Sequence, residues 1–418
     1  MTSAPMLVDG TRKAEILETA ATMFATRGVR TSLQEIADAA GILPGSLYHH
    51  FASKDAIIVE LIERYQADLD LIARRALDET GRLQPSRDRI VALATAIAEC
   101  AVRHRAALLL TFYEPPAGAS DEFVRLARRT PSAVGNAMFE MLRIARTTGE
   151  IRTDADLRLL ADRITQAMLH IGIGVSHQTP GGEQVPGLRC SILLDGLAVR
   201  TPADATLNRS RSMRAADDVI ASWSEREHPA GGGDRAELLR VARAEFARRG
   251  YDATTVRDIA AAAGLSTGAV YRRIRSKGEL LVAIMRAYAA SVNEGWDRVL
   301  RAKSSAVERL DALMWFNINV LDRFAEEYKI QSALLSQSPP SNPNLGMSFS
   351  TQLRRLRSVL AEGLRKGELH VEKAPADMRA RSVFAVVWTP ENIVRGEGTR
   401  GALAFGRETV LRGVAKRR

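Results

Sequence analysis

The chain has little of what reactive, exported or membrane-borne proteins use. It holds two cysteines in 418 residues, Cys100 and Cys190, both in helical, apolar contexts. With no CxxC pair and no histidine read at ligand spacing, neither a zinc site nor a disulfide framework is expected. No run of eighteen apolar residues is present, so no membrane-spanning helix is expected. The opening MTSAPMLVDG lacks the charged and apolar regions of a secretory leader, which places the protein in the cytoplasm as an expectation. There is no phosphate-binding glycine loop, metal-ligand cluster, nucleophile elbow or Cys/His dyad at informative spacing. His170 and His177 stand seven apart, but a Pro/Gly loop follows and no acidic partner is evident. The expectation is a protein that is not an enzyme, with no catalytic residues, cofactor or metal. Aromatics are sparse, whereas Ala, Leu, Arg and Glu dominate most segments; this favours helix over strand and predicts an all-α fold.

What is present is length, positive charge and repetition. A chain of 418 residues is too long for one core and suits at least two domains. A formal net charge of +10 suits a polyanionic partner such as DNA. Residues 40–55, AGILPGSLYHHFASKD, and 263–278, AGLSTGAVYRRIRSKG, share the Ala-Gly, the inner Gly, the Tyr and the Ser-Lys. Around each copy the same three helices follow from apolar spacing. Helix one places Ile16, Leu17, Ala20 and Phe24 on one face, matched by Leu238, Leu239, Ala242 and Phe246; Gly28 and Gly250 stop it. Helix two turns Leu33, Ile36, Ala37 and Ala40 inward, matched by Val256, Ile259, Ala260 and Ala263. Capping boxes fit these starts: Thr31 with Gln34 or Ser32 with Glu35, Asp234 with Glu237, and Ser276 with Glu279. The second copy has one extra residue between Gly250 and Ile259. Gly41 and Gly264 sit where a short turn swings the chain into helix three, from about Pro44 or Thr267 to Phe51 or Ile274, the geometry of a helix-turn-helix.

A helix three that enters the major groove needs short or polar residues at its N-terminal end. Pro44, Gly45 and Ser46 meet that need, as do Ser266, Thr267 and Gly268. Leu43 and Pro44 can touch a thymine methyl. Tyr48 and Tyr271 can set a phenol on a phosphate, and His49, Arg272, Arg273, Lys54 and Lys277 can add polar or charged contacts. Thr31, Ser32, Thr254 and Thr255, at the start of helix two, complete the expected DNA-facing set. Double-stranded DNA is the expected partner.

These residues resemble the TetR/AcrR family of bacterial transcription regulators through "T-[TS]-[VL]-x-[ED]-I-A", "A-G-[IL]-x-x-G-x-[LV]-Y" and "S-K", over 12–58 and 235–282. Each half has about the length of a complete subunit of that family. The resemblance implies a helix-turn-helix head and a larger helical domain that binds a small-molecule inducer and dimerises through its last two helices. Those helices correspond in position to 154–174 and 185–199, and to 376–393 and 399–414. The first motif looks like regulators of steroid-ring catabolism in actinobacteria, whose inducers are acyl-CoA thioesters. The expected division is a first head over 10–58, a first helical regulatory domain over 59–205, a linker over 206–233, a second head over 234–282 and a second regulatory domain over 283–418. In the linker, Met213, Ala216, Val219, Ile220 and Trp223 share a helical face expected to dock on one half.

Residues of the kind that line an apolar pocket are Phe112, Tyr113, Met138, Met168 and His170 in the first half, and Trp315, Phe316, Tyr328 and Trp388 in the second. The function expected is sequence-specific DNA binding, as a repressor relieved by an apolar small molecule or acyl-CoA thioester. The two halves pair either within the chain, as a covalent pseudo-dimer on an asymmetric operator, or each with its copy in another chain. The competing reading is a helical protein-interaction scaffold with one or both heads inactive on DNA.

Overall fold

Apolar residues at helical spacing build the first head. In the computed structural model, which describes residues 6–28, 31–78, 86–111, 114–115, 118–173, 182–226, 234–336, 345 and 349–416, Ile16, Leu17, Ala20 and Phe24 are all buried. They lie on α1 (Met6–Arg27), which ends at Gly28 with φ +69°. Of the two alternative capping boxes, Ser32 with Glu35 forms and starts α2 (Leu33–Ala39). Gly41, at φ +66°, makes the turn into α3 (Pro44–His50), pinned inward by the fully buried Leu47. Ser53 caps α4 (Lys54–Leu77), whose Ile57, Ile58, Leu61, Ile62, Tyr65 and Leu69 continue from the head into the body.

The first body comprises α5 (Ser86–Arg103), α6 (Arg105–Leu110), α7 (Asp121–Ala127), α8 (Ser132–Thr147), α9 (Leu157–Ile173) and α10 (Val185–Asp195). Helices α5 and α9 approach closely because Gly172 faces the Ala101 carbonyl, where a Cβ would stand 2.4 Å from its oxygen. Helix α5 breaks from α6 at His104, whose ψ of 31° leaves the helical region.

Two further helices precede the second head. The short α11 (Asp204–Asn208) occupies part of what reads as irregular chain, and α12 (Arg211–Arg226) carries Met213, Ala216, Val219 and Trp223 into the core. The tip of this connection, with Pro229 and Gly231 to Gly233, lies outside the described residues.

The second head repeats the first. Helix α13 (Asp234–Arg249) is followed by α14 (Val256–Ala262), started by a Thr255–Asp258 capping box, and by α15 (Thr267–Tyr271), pinned by the buried Val270. Then come α16 (Lys277–Arg301), α17 (Ala306–Arg323), α18 (Ala325–Ser336), α19 (Phe349–Arg365), α20 (Ala376–Val386) and α21 (Glu391–Gly406), the last continuing as a π-helical turn over Arg407–Arg412. The helix read over 376–393 is two helices, because Pro390 prevents Thr389 from continuing α20. Helix α12 packs between α16 and α17, with Trp223 at ring-centroid distances of 5.6 Å from Phe316 and 5.0 Å from Phe324. The fold is thus all-α, two similar units in tandem. Among the described residues no helix is long and apolar enough to cross a membrane.

The units pack on each other about an approximate two-fold axis. The N–H of Arg152 donates to Val414 O at 2.9 Å, and its counterpart His370 donates to Leu197 O at 2.9 Å. Lys416 donates to Glu150 O and Val199 to Glu368 O, at 2.8 and 3.0 Å. Isolated bridges join Ile151 to Ala415 and Ala198 to Leu369. At the centre Gly196 and Gly413 end the last helix of each unit, with φ of 73° and 75°, and touch backbone to backbone. This reciprocity is that of an isologous interface made within one chain. Helices α10 and α20 pack beside it, and Arg163 of α9 donates to Val386 O at 2.5 Å.

A buried ion pair ties the end of the chain into the second body. Arg407, 4% exposed, donates to both carboxylate oxygens of the fully buried Asp311 at 2.7 and 2.9 Å, and to Asn208 Oδ1 at 2.7 Å.

Candidate nucleic-acid interface and ligand cavity

Five large apolar side chains are exposed among the described residues: Leu43, Tyr48, Leu77, Val199 and Tyr271. Three of these belong to the third helices of the heads or their caps. Leu43 is the N-cap of α3 and makes no side-chain cap bond; it is 78% exposed, with Tyr48 at 55% and Tyr271 at 54%. Pro44 and Ser46 are half-buried, while Gly45 and His49 are exposed beside them. In the second head Ser266, Thr267, Gly268 and Arg272 form the matching exposed face, with Ser266 capping α15 through the Ala269 N–H. Ser32 and Thr255 stand exposed at the N-caps of α2 and α14. The Ser32 backbone N–H, with its hydroxyl, holds the Glu35 carboxyl below its usual pKa.

Four of the expected contacts need correction. Thr31 and Thr254 are buried, and their hydroxyls donate to the Gly28 and Gly250 carbonyls, so they shape the turn and do not face a phosphate. Arg273 donates to Ala269 O at 2.9 Å and pairs with Asp234, bracing α15 against α13. The Lys277 ammonium donates to Tyr251 O and Thr254 O at 2.7 and 2.9 Å and lies 4.1 Å from the Tyr251 ring centroid. Its counterpart Lys54 is half-buried at the start of α4. Sequence reasoning missed Arg257, which is exposed on α14 where the first head has Gln34. The alignment of the two copies was the available signal.

A cavity of about 330 Å³ opens in the first body between α4, α6, α7, α8 and α9. Leu69, Leu108, Leu169 and Ile173 give it apolar walls, and Tyr65, Gln66, Thr111, Arg128, Arg129 and His170 add polar groups. Gln66 is held by Leu126 O at 3.1 Å and by Arg129 at 2.9 Å. The Tyr65 hydroxyl is buried without a hydrogen-bond partner. His170 borders the cavity, so it presents accessible surface while the surrounding protein still desolvates it; burial, then the nearby Arg189 charge, lowers its pKa from 6.5 to about 4.

Of the pocket residues read from sequence, His170 lines this cavity. Phe112 and Tyr113 lie outside the described residues. Met138 and Met168 are fully buried core. In the second body Phe316 fills the space beside Gly295, where a Cβ would stand 2.0 Å from its ring, and Trp315 donates to Asp217 at 2.8 Å beneath Arg400. Tyr328 and Trp388 stack on each other at 5.2 Å. Each is thus engaged with other side chains, and Phe316 also meets Trp223 of the docked α12. The signal missed on α4 was Gln66, a polar residue beside the inward Tyr65 and Leu69.

His170 sets a pH dependence. Unfolded chains bind its proton below about pH 6.5 and the folded chain only below about 4, so its contribution is intact above 6.5 and is lost as the pH falls between those values. Because the cavity admits water, the expected slope is a fraction of the roughly 1.4 kcal/mol per pH unit given by a full proton. Denaturant titrations of the wild type and His170→Gln from pH 7 to 4.5 should differ in slope, the variant being flatter; equal slopes would refute the shift.

The structure also corrects the expectation for Cys100. His104 follows it by four residues, one helical turn, and both face Asp68 of α4; the His104 ring nitrogen lies 2.8 Å from the Asp68 carboxylate. Burial, with the Asp68 charge, pushes the Cys100 thiol up to about 12. Cys190 is also free and buried.

Comparison with known proteins places both heads. The model of the tetR family of bacterial regulatory proteins matches residues 16–61 and 238–284. The HTH-type transcriptional repressor KstR2 of Rhodococcus jostii is 32% identical over 197 residues, covering 45% of this chain and 91% of that protein. The repressor of the same name from Mycobacterium tuberculosis is 42% identical over 100 residues, 24% of this chain, so the chain spans about half of that relative's length. The solved structure of the ketosteroid transcriptional regulator KstR2 of M. tuberculosis aligns at 26% identity and a TM-score of 0.37, over 42% of this chain and 91% of its own.

Proposed function

Since the chain belongs to the tetR family of bacterial regulatory proteins, we propose that it is a sequence-specific DNA-binding transcriptional regulator, a ligand-relieved repressor acting as a covalent pseudo-dimer. The observation that carries this reading is the exposure of Leu43, Tyr48 and Tyr271 on third helices otherwise pinned by buried Leu47 and Val270. A folded protein keeps such side chains outside when a partner surface covers them. We divide the chain into heads over 10–58 and 234–282, bodies over 59–205 and 283–418, and a connection over 206–233.

The two heads differ chemically. Leu43, Pro44, Gly45 and Ser46 offer methyl contacts and close backbone approach, which suit base edges. The second head offers Arg257, Arg272 and Arg275, which suit phosphates. Unlike heads joined through a two-fold interface fit an asymmetric operator.

The ligand is an apolar ring or acyl chain with a polar end, a class that includes acyl thioesters. Leucine and isoleucine walls take the apolar part, and Arg128 and Arg129 at the rim suit an anionic end. Helix α4 lines this cavity with Tyr65, Gln66 and Leu69 and is separated from α3 by only three residues. A ligand that wedges α4 therefore displaces the first head, and DNA and ligand oppose each other through the tilt of one helix.

A nuclease footprint of the full chain on its own upstream DNA tests this reading. Two unlike half-sites about one turn (roughly 34–36 Å) apart are expected. Arg272→Ala should weaken binding across sequences and reduce the slope of log affinity against log salt by about 1. A palindromic footprint would overturn the pseudo-dimer, and absent or salt-insensitive binding would favour a protein scaffold.

A further inference from the structure

We propose that Asp68, Cys100 and His104 form a binding site for a borderline-soft divalent transition-metal ion, of which zinc is the natural representative. Cys100 and His104 lie one turn apart on the same face of α5 and its break, and Asp68 faces them from α4. One ligand atom from each residue lies within 4.8 Å of the other two. The atoms surrounding a tetrahedral ion at roughly 2.0–2.3 Å fall within that span. Sulfur, imidazole nitrogen and one carboxylate oxygen make a mixed set suited to zinc or cobalt, and unsuited to calcium or magnesium, which need several oxygens. Three protein ligands leave a fourth position for water.

A second observation points to the same place. The Tyr65 hydroxyl is buried without a hydrogen-bond partner, and its ring lies 5.8 Å from that of His104. An ion-bound water would supply that partner. Arg103, which also approaches Asp68 at 3.4 Å, is largely exposed and can swing away. Binding converts the Cys100 thiol to a metal thiolate and releases its proton to solvent, with no change of oxidation state.

The consequence is regulatory. Asp68 belongs to the helix that carries the first head, and His104 caps α6, which packs on α1. A bound ion therefore clamps α4 to the α5–α6 break and fixes the head's anchor on two sides. This regulation is distinct from the organic ligand of the cavity, and binding of the ion can be measured whether or not the chain binds DNA.

The test is a cobalt(II) titration of the chelator-treated full chain, read by absorption. The expected result is a sulfur-to-cobalt charge-transfer band with the intense visible bands of a four-coordinate ion, saturating at one ion per chain. Cys190→Ala should keep the band and Cys100→Ala should lose it. His104→Gln, which leaves the thiol in place, guards against a Cys100 variant that misfolds. It should weaken binding by more than the roughly 10–100-fold typical of losing an outer-shell partner. A spectrum without the sulfur band, or one that persists in folded Cys100→Ala, would overturn the proposal.

Discussion

Gly413→Ala is expected to destabilise the folded chain by about 2–6 kcal/mol, a large effect for a single methyl group. Two costs add. At φ 75° and ψ 158° the backbone occupies a region open essentially to glycine, worth roughly 1–3 kcal/mol for another residue. The new Cβ would also stand 2.1 Å from the Asp195 carbonyl carbon, a backbone atom that cannot rotate away, and forcing such contacts costs roughly 1–3 kcal/mol. Gly196→Ala should behave alike, since its Cβ would stand 2.4 Å from Gly413 N. The double variant should fall short of the sum, because the first substitution already separates the segments the second would push apart. Gly41→Ala is the control: φ is +66° but nothing lies within 4 Å, so strain alone, about 1–2 kcal/mol, is expected. Guanidinium unfolding measures all four. Equal losses for Gly41 and Gly413 would mean that the two glycines do not meet as described.

Asp311→Ala is expected to cost about 3–5 kcal/mol by removing the bidentate carboxylate from the buried Arg407 guanidinium and leaving it, among carboxylates, only the longer, 3.4 Å contact with the half-exposed Asp204. The pair stands out because both partners are buried, whereas most ion pairs here are at least half-exposed on one side and contribute about 0–1 kcal/mol. Burial raises the Asp311 pKa, and Arg407 opposes that rise. Replacing both, as Asp311→Leu with Arg407→Met, should recover most of the loss, since an apolar pair carries no desolvation penalty. Urea unfolding of the three variants decides it. A loss below about 1 kcal/mol for Asp311→Ala would show that Asp204 or water takes over the Arg407 guanidinium in solution.

Much of the heads could be read from sequence because their determinants are local. Apolar spacing, a glycine at each turn and a capping residue three positions before its partner locate α2, α3 and α14 within a residue or two, whereas α15 ends at Tyr271, three residues short of the Ile274 read from the sequence. The errors there come from neighbours in space. Arg273 and Lys277 read as free cations until α13 and the Tyr251 turn are brought beside them, and Thr31 reads as an N-cap until its hydroxyl is seen to close on Gly28. In the bodies every helix carries an inward apolar face, so sequence does not show which faces meet across empty space. Met138 and Met168 fill the core, while Gln66 and Tyr65 border the cavity. The interface between units did leave a trace: Gly-Glu-Ile at 149–151 repeats as Gly-Glu-Leu at 367–369, and Leu-Asp-Gly-Leu-Ala at 194–198 as Leu-Arg-Gly-Val-Ala at 411–415. Repeats of three and five residues at the far ends of two helical bodies are too short to notice beside the longer motif of the heads.

The contact at Gly196 and Gly413 is made within one chain, so it has no dependence on protein concentration. A regulator assembled from separate subunits loses its paired heads on dilution, and its occupancy of DNA then rises with a power of the amount of protein made. On the pseudo-dimer reading proposed above, each molecule carries its own pair of heads. The dose response should be linear in copy number down to a few molecules per cell, and a defective copy made alongside a normal one would have no partner to poison.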